Sequence, residues 1–462
     1  MHLPTLGPSS RSRTAFALLA LVGWIAIEPA PNAAVRPPKF DYKMSTLENG
    51  LKVVLLEDHS TPVVHAEIWY HVGSTNEKKG RTGFAHLFEH MMFKGSKNVE
   101  PEGHPSRISS IGGQSNASTN EDATIFWETF PAQYLPMVLW LEADRMATLR
   151  IDEKVFATER EVVKEERRMR VENQPYGKLN EIIYDQAFTT HPYKHPTIGS
   201  MADLEAASID DVRDFFKTYY VPGNATLVLV GDFESKEAMD LVTRYVGRVP
   251  KAIRPVPRDI PAEPPQVKER RIRLEENVPL PAVVIAHHIT YDGHPDSYPL
   301  HIAAKVLSDG QSSRIYRKLV YEDQMALAAF GQGNIIEDPN LFYAVAIVQR
   351  GRSPEDVTKA LIAELDRMRN EPITAAELQQ AKNQFARDYI LSRESNRDKA
   401  QQLAHAAVIH NDITTADGEF DVFQNMTAAE VQRVAQKYFT PDNRLVITLM
   451  PKGSGNGREL PQ

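Results

Sequence analysis

A stretch near the middle of the chain returns near its end in the same register, and that return limits the fold more than any other feature. Ser208-Ile209-Asp210-Asp211-Val212, Tyr219-Tyr220-Val221-Pro222-Gly223-Asn224 and the apolar run Leu227 to Val230 form one copy. Thr427-Ala428-Ala429-Glu430-Val431, Tyr438-Phe439-Thr440-Pro441-Asp442-Asn443 and Leu445 to Leu449 form the other. A hydroxyl residue, valine, tyrosine, proline and asparagine all match at one offset, 219 residues, from Ser208 and Thr427 to Asn224 and Asn443. Each copy reads as a capped helix, a Pro/Asn turn and a strand, and matching in register points to duplication. The chain therefore reads as two similar halves, 39–250 and 266–452, joined by the Pro-rich linker 251–265. Its 462 residues exceed what one hydrophobic core ordinarily holds, as two halves require.

The first 34 residues follow a different logic. Arg11 and Arg13 precede the apolar run Ala15 to Ile27, and Glu28, Pro29 and small residues follow up to Ala34. Basic, apolar, then small is the layout of a secretory signal peptide, with cleavage expected between Ala30 and Ala34. The run is short for a membrane span, and no other segment is apolar enough to cross a bilayer. The mature chain is expected to be soluble and periplasmic. With 0 Cys it has neither a lipid-anchoring cysteine nor disulfides, so packing alone must hold it. A net charge of -8 without long like-sign runs argues against a nucleic-acid surface.

Chemistry concentrates in Gly83-Phe84-Ala85-His86-Leu87-Phe88-Glu89-His90-Met91-Met92-Phe93, which contains H-x-x-E-H, the inverted zinc-protease signature. On a helix His86 and His90 share one face, so both imidazoles can reach a single Zn²⁺. Glu89 lies beside them, placed to take a proton from a metal-bound water as general base. Phe84, Leu87, Phe88, Met91 and Met92 supply the surface that buries the rest of the helix. Strands are expected over Leu47 to Glu57, carrying an Asn49-Gly50 turn, over Thr61 to Val72, and over Ala123 to Phe130. Gly112-Gly113 opens the polar segment Gln114 to Thr119. Helical patterns run from Gln133 to Met146 and from Lys154 to about Arg170. The second-half counterpart of the zinc helix falls near His301 to Leu307 and carries no H-x-x-E-H, so only the first half is expected to hold the metal.

Zinc bound by two histidines usually takes a third protein ligand and keeps one position for water. Carboxylates crowd the segment Asp152 to Glu166, and spacing alone does not choose among them. Glu159 and Glu166 lie on one helical face with Val162 and Val163, whereas Glu165 points elsewhere. Taken together, these motifs resemble the pitrilysin-type (M16) zinc metallopeptidases, the group that includes insulin-degrading enzyme and the mitochondrial processing peptidase. The match comprises His86-x-x-Glu89-His90, the Glu-Arg-x-Val-Val-x-x-Glu stretch ending at Glu166, Gly112-Gly113, Asn116-Ala117 and the tandem plan, over about Lys39 to Lys452. The resemblance implies Glu166 as the third ligand of one Zn²⁺ per chain, with Glu159 in a supporting position near the histidines. It implies two homologous α+β domains, each an antiparallel-rich sheet flanked by helices, that form half of a dimeric clamp. It also implies that Gln114, Asn116, Ala117 and Thr119 bind substrate, as an edge strand to which an extended peptide adds.

One departure bears on partners. Active relatives carry an Arg and a Tyr, seven apart, after a Ser-Ser-Arg-x-Tyr helix in the second half. Here Ser312-Ser313-Arg314-Ile315-Tyr316 is followed by Val320 and Leu327 at those places, and neither can donate a hydrogen bond. Arg314 and Tyr316 are expected to be structural. The resemblance then implies a heterodimer with a homologous subunit that supplies the Arg/Tyr pair, with a homodimer as the alternative. The implied activity is that of an exported zinc endopeptidase acting on extended or unfolded peptides; the alternative is a non-catalytic scaffold or assembly subunit of the same family. His191 and His195 fall in a Pro-containing loop, and His287-His288 in an apolar strand, where structural roles are expected.

Overall fold

The two repeated segments are built by the same bonds. The computed structural model describes residues 36–453. Ser208 accepts from the Asp211 N–H, and the Asp211 carboxylate accepts from the Ser208 N–H; Thr427 and Glu430 do the same. These reciprocal capping boxes satisfy amides that a helix start leaves orphaned. Past each helix, the asparagine amide donates to two carbonyls. Asn224 Nδ2 reaches Tyr219 O at 2.9 Å and His71 O at 3.1 Å; Asn443 Nδ2 reaches Tyr438 O at 2.7 Å and His288 O at 2.8 Å.

In chain order the first half has β1 Tyr42–Thr46, β2 Lys52–Glu57, β3 Val63–Tyr70, α1 Phe84–Met91, α2 Gly103–Ser110, β4 Gln114–Thr119 and β5 Thr124–Pro131. Then come α3 Leu135–Thr148, α4 Glu153–Arg167, α5 Leu179–Ala187, α6 Met201–Ala206, α7 Ile209–Tyr219, β6 Ala225–Gly231 and α8 Ser235–Tyr245. The second half has β7 Arg270–Glu276, β8 Ala282–His288, α9 Ser297–Ser308, α10 Arg314–Tyr316, β9 Ala326–Gly333 and β10 Leu341–Val348. It ends with α11 Pro354–Asn370, α12 Ala375–Leu391, α13 Asn396–Val408, α14 Thr415–Asn425, α15 Ala428–Tyr438 and β11 Arg444–Pro451.

The strand orders are β1-β2-β6-β3-β5-β4 and β7-β11-β8-β10-β9. Without β1 they coincide, and so do the pairings: β2–β6 and β7–β11 are parallel, and the other neighbours are antiparallel. One face of each sheet packs on its own half's helices, through Phe88, Val138 and Val242 in the first and Ile302, Leu361 and Val434 in the second. The opposite faces are covered reciprocally. Helix α13, from the second half, lays Ala400, Leu403 and Ala404 on Val54, Trp69, Val228 and Val230 of the first sheet. Helix α5, from the first half, lays Ile183, Tyr184 and Ala187 on Val284, Ala286 and Ile447 of the second. Covering both faces explains why central strands such as β6 read as unbroken apolar runs, while the edge strand β4 reads as polar Gln-Ser-Asn-Ala-Ser-Thr.

The sequence reading differs from this in detail. Leu47 to Glu57 is not one strand: Asn49-Gly50 turns β1 into β2, with Gly50 at φ 94° and the Asn49 amide bonded to Val246 O and Val249 O. Strand β1 and helix α2 were not foreseen, because Tyr42–Thr46 is largely exposed and Gly103–Ser110 carries few apolar residues. Val162 does not share the buried face of Glu159 and Val163 but is 45% exposed. The Pro-rich segment from Lys251 to Lys268 forms neither helix nor strand and is fastened to the first half. Arg258 donates to His71 O and Asn224 Oδ1, and Glu263 accepts from the amides of Thr189, Thr190 and His191. The expected signal peptide lies outside the described residues. Among the described residues, no helix is long and apolar enough to cross a membrane.

Asn443→Ala should destabilise the protein by about 1–3 kcal/mol, because it strips a side-chain donor from two carbonyls. Denaturant unfolding checks this, and an unchanged midpoint would contradict it.

Candidate metal centre

Helix α1 is fixed at its start by a buried acid. Gly83 precedes it at φ 89°, where a Cβ would meet Ile198 O at 2.7 Å, so glycine is required there. The Glu77 carboxylate accepts from the Gly83 N–H at 2.9 Å and the Ala85 N–H at 2.8 Å. Burial nonetheless holds the Glu77 carboxyl well above the usual carboxylate range. Phe84, Leu87, Phe88 and Met91 are buried, and the Phe88 ring packs against Phe215, Phe216 and Tyr220. Sinking that face leaves His86, Glu89 and His90 turned toward α4. Helix α4 is capped by Asp152, which accepts from the Val155 N–H at 3.0 Å, and is anchored by Phe156 and Val163.

Glu166 faces both histidines. Its Oε2 lies 3.8 Å from His86 Nε2 and 3.4 Å from His90 Nε2, and the three donor atoms lie within 4.8 Å of one another. Ligands at about 2.0–2.2 Å in a tetrahedral site stand roughly 3.3 Å apart, so two imidazole nitrogens and a carboxylate oxygen at these separations fit a zinc ion. Burial, then the neighbouring His90, lower the His86 pKa to about 4, which keeps that imidazole neutral and able to ligate. Arg170 lies 2.6 Å from the other Glu166 oxygen, Oε1, and leaves Oε2 for the centre. Glu159 Oε2 is 3.6 Å from His90 Nδ1, and its Oε1 is 3.2 Å from Lys94 Nζ. It thus bears on the far side of a ligating ring, where a carboxylate sets the tautomer. Glu165 is exposed and pairs with Arg168.

Glu89 accepts a 2.6 Å hydrogen bond from the Thr119 hydroxyl on β4. Burial raises its pKa, and the Thr119 bond pulls it partly back. Strand β4 is the sheet edge beside α1, paired only with β5 among the described residues. Its residues alternate: Gln114 and Asn116 are exposed, while Ala117 and Thr119 are half-buried. The Asn116 carbonyl oxygen accepts from the Ala117 N–H at 2.9 Å, so part of that side chain serves its own backbone. A groove of about 330 Å³ runs between this edge and His90, lined by Glu89, His90, Phe93, Lys94, Ser115 and Asn116 among others. Sequence reasoning placed Thr119 with the substrate; the structure gives its hydroxyl to Glu89. Arg170, Lys94 and Glu77 were missed, since charges of their kind are common on any surface.

A second acidic–histidine group, His104, Glu128 and Glu142, is closed to a metal by the Arg145 guanidinium, which bonds both carboxylates. In the second half α9 carries His301 alone. Arg314 makes a paired bond to Glu377 at 2.6 and 2.9 Å, a structural use. Leu327 is 54% exposed on the edge strand β9. His191 is buried, accepting from the Tyr193 N–H and lying 3.2 Å from Asp338, so its loop ties the halves together.

Residues 52–201 match the family described as Insulinase (Peptidase family M16), and residues 206–385 match the Peptidase M16 inactive domain. The chain is 31% identical over 409 residues to Zinc protease PqqE of Helicobacter pylori, covering 88% of this chain and 92% of that protein. It is 22% identical to mitochondrial-processing peptidase subunit beta of Lentinula edodes, covering 86% of this chain and 87% of that one. A crystal structure of a protease from Helicobacter pylori superposes with a TM-score of 0.85 at 31% identity, over 89% of this chain and 100% of that chain. The periplasmic protease PqqL from Escherichia coli shares the fold, with a TM-score of 0.74 at 17% identity over 92% of this chain and 49% of that one.

Glu159→Gln should weaken zinc binding by about 10–100-fold, as loss of a ligand's carboxylate partner does. Glu165→Gln should leave it unchanged. Competition with a chelator of known affinity measures both, and equal effects would contradict the geometry.

Proposed function

This chain belongs to the insulinase family, peptidase family M16, and from that premise we propose that it is an exported zinc-dependent endopeptidase cleaving extended or unfolded peptides. The observation that carries the reading is the convergence of His86, His90 and Glu166 beside Glu89, next to an open sheet edge. Those three side chains would hold the zinc ion, which would supply a Lewis acid for the scissile carbonyl and make a water bound there more acidic.

The protein's own groups do the rest. Glu89 takes a proton from the attacking water and later gives it to the departing amine, a shuttle suited to a carboxyl whose pKa burial has raised. Thr119 holds that carboxyl in place. A peptide adding to β4 in extended form is held by main-chain hydrogen bonds, which fixes its backbone with modest sequence preference. Gln114 and Asn116 then border it.

Val320 and Leu327 cannot donate to a substrate carbonyl. The proposal therefore includes a homologous partner subunit that brings an Arg/Tyr pair and lacks zinc ligands, closing a clamp over β4. A homodimer would leave both sites without the pair. The mitochondrial relative is itself described as a subunit. Export rests on the basic–apolar–small layout of residues 1–34 and on the periplasmic description of the Escherichia coli protein.

Glu89→Gln should retain zinc and lower turnover of a quenched unstructured peptide by about 10²–10⁴-fold. Near wild-type cleavage by that variant would remove Glu89 from the chemistry. Because the Thr119 bond favours the ionised base, Thr119→Val should move the acidic limb of the kcat/KM profile to higher pH; an unmoved or lowered limb would contradict its role. Native co-purification should recover a second, non-identical subunit whose addition raises turnover. Recovery of one species, fully active alone, would eliminate the heterodimer; fully zinc-loaded heterodimer without turnover would favour a scaffold.

A further inference from the structure

The second half assembles a different pair of histidines around a carboxylate, where no repeat of the zinc motif exists. Asp292 lies in the loop after β8, His405 in α13, and His410 just beyond it. Asp292 Oδ2 is 3.3 Å from His405 Nε2 and 3.2 Å from His410 Nε2. The two rings stand 5.1 Å apart at 79°, against 4.8 Å and 78° for His86 and His90. As in the first centre, the three donor atoms lie within 4.8 Å of one another.

The surrounding hydrogen bonds orient these atoms inward. The Thr415 hydroxyl donates its one proton to Asp412 O at 2.8 Å, so in its 2.7 Å bond to His410 Nδ1 it must accept. That bond favours a proton on His410 Nδ1, and a neutral ring so arranged presents its Nε2 lone pair toward Asp292. That Nε2 is buried without a hydrogen-bond partner. Asp292 Oδ1 is occupied by the Gly293 N–H at 2.8 Å, which leaves Oδ2 for the histidines. A lone pair facing a carboxylate oxygen repels it unless a proton or a metal ion stands between them, and at 3.2 Å the pair is spaced for either. An imidazole that donates its remote N–H to an oxygen is the arrangement a ligating histidine usually has. Gly293, at φ +79°, leaves room for the His410 ring, whose Cδ2 lies 3.4 Å from where a Cβ would stand. The Asp292 and His410 side chains are 12% and 5% exposed and that of His405 is 41% exposed, so the group is framed by protein yet open to entering ions.

We propose that Asp292, His405 and His410 form a second metal centre for a divalent transition ion of the zinc type, separate from the peptidase site. Two imidazoles and one carboxylate suit that ion class better than calcium or magnesium, which prefer all-oxygen shells. Its role is structural. Asp292 belongs to the second half's own framework, whereas α13 lies on the first half's sheet, so an ion here pins the exchanged helix in a chain with 0 Cys and hence no disulfide. His301 on α9 and Glu419 on α14 are further titratable groups whose charges reach Asp292.

The test counts zinc on the full chain, metal-stripped, dialysed against buffered free zinc and measured by mass spectrometry. The wild type should bind two ions. The chain carrying both His86→Ala and His90→Ala should keep one, with a zinc-dependent rise in Tm. Adding His410→Asn to that chain should abolish both the remaining ion and the Tm rise, and His405→Gln should do the same. A His86→Ala/His90→Ala chain that binds no zinc would overturn the proposal and leave a His–Asp ion pair. Retention of the ion after His410→Asn or His405→Gln would overturn it as well. None of these readouts depends on peptide cleavage, so failure here and failure of the peptidase reading are distinguishable.

Discussion

The short helix Phe84–Met91 depends on how firmly its apolar face is held, and the rest of the site follows from that. Burial of Phe84, Leu87, Phe88 and Met91 stabilises by about 1.5–3 kcal/mol per side chain relative to exposure. Each Glu77 bond to a helix amide adds only about 1–3 kcal/mol, but it sets where the helix begins. The first effect is the larger and commits one face; the second fixes the start. Together they leave His86 and His90 little freedom to move from Glu166. A half-buried His86 held neutral facing Glu166 leaves that carboxylate without a charge from the ring. The packing beneath tolerates it, and a bound cation would relieve it.

Duplication then divides the labour. Both halves use the same five-strand order, the same capped helix and the same asparagine lock, yet only the first copy carries H-x-x-E-H. The corresponding helices α5 and α13 cross over, each covering the other half's sheet. Neither half has a complete core without the other, which accounts for a second half that persists without H-x-x-E-H. It also leaves the corresponding strands β4 and β9 each at one edge of its sheet. One is polar and lies beside the histidines; the other exposes Leu327 and Phe330.

The duplication, the zinc helix and the polar edge were legible because each is local. Register at one offset, a four-residue histidine spacing and a Gln-Ser-Asn-Ala-Ser-Thr run can be read without knowing what lies opposite. Helical period placed Glu159 and Glu166 on one face and Glu165 off it, but it could not say which of the first two faces both histidines; the structure puts Glu166 there. The same period wrongly grouped Val162 with the buried face, since position on a helix does not say how wide its covered stripe is. The exchange of α5 and α13 left no mark in the sequence: an apolar helix face does not say which sheet it covers. The Thr119–Glu89 bond and the meeting of Asp292 with His405 and His410 join residues far apart in the chain, and no spacing rule reaches that far.

The central claim is that His86, His90 and Glu166 hold one zinc ion between them. Anomalous diffraction at the zinc edge, from crystals of the zinc-loaded protein, tests it most directly. The account predicts a peak at about 2.0–2.2 Å from both Nε2 atoms and from a Glu166 oxygen. A fully loaded crystal with no peak there, or with the Arg170 guanidinium drawn in between the histidines and Glu166, would contradict it.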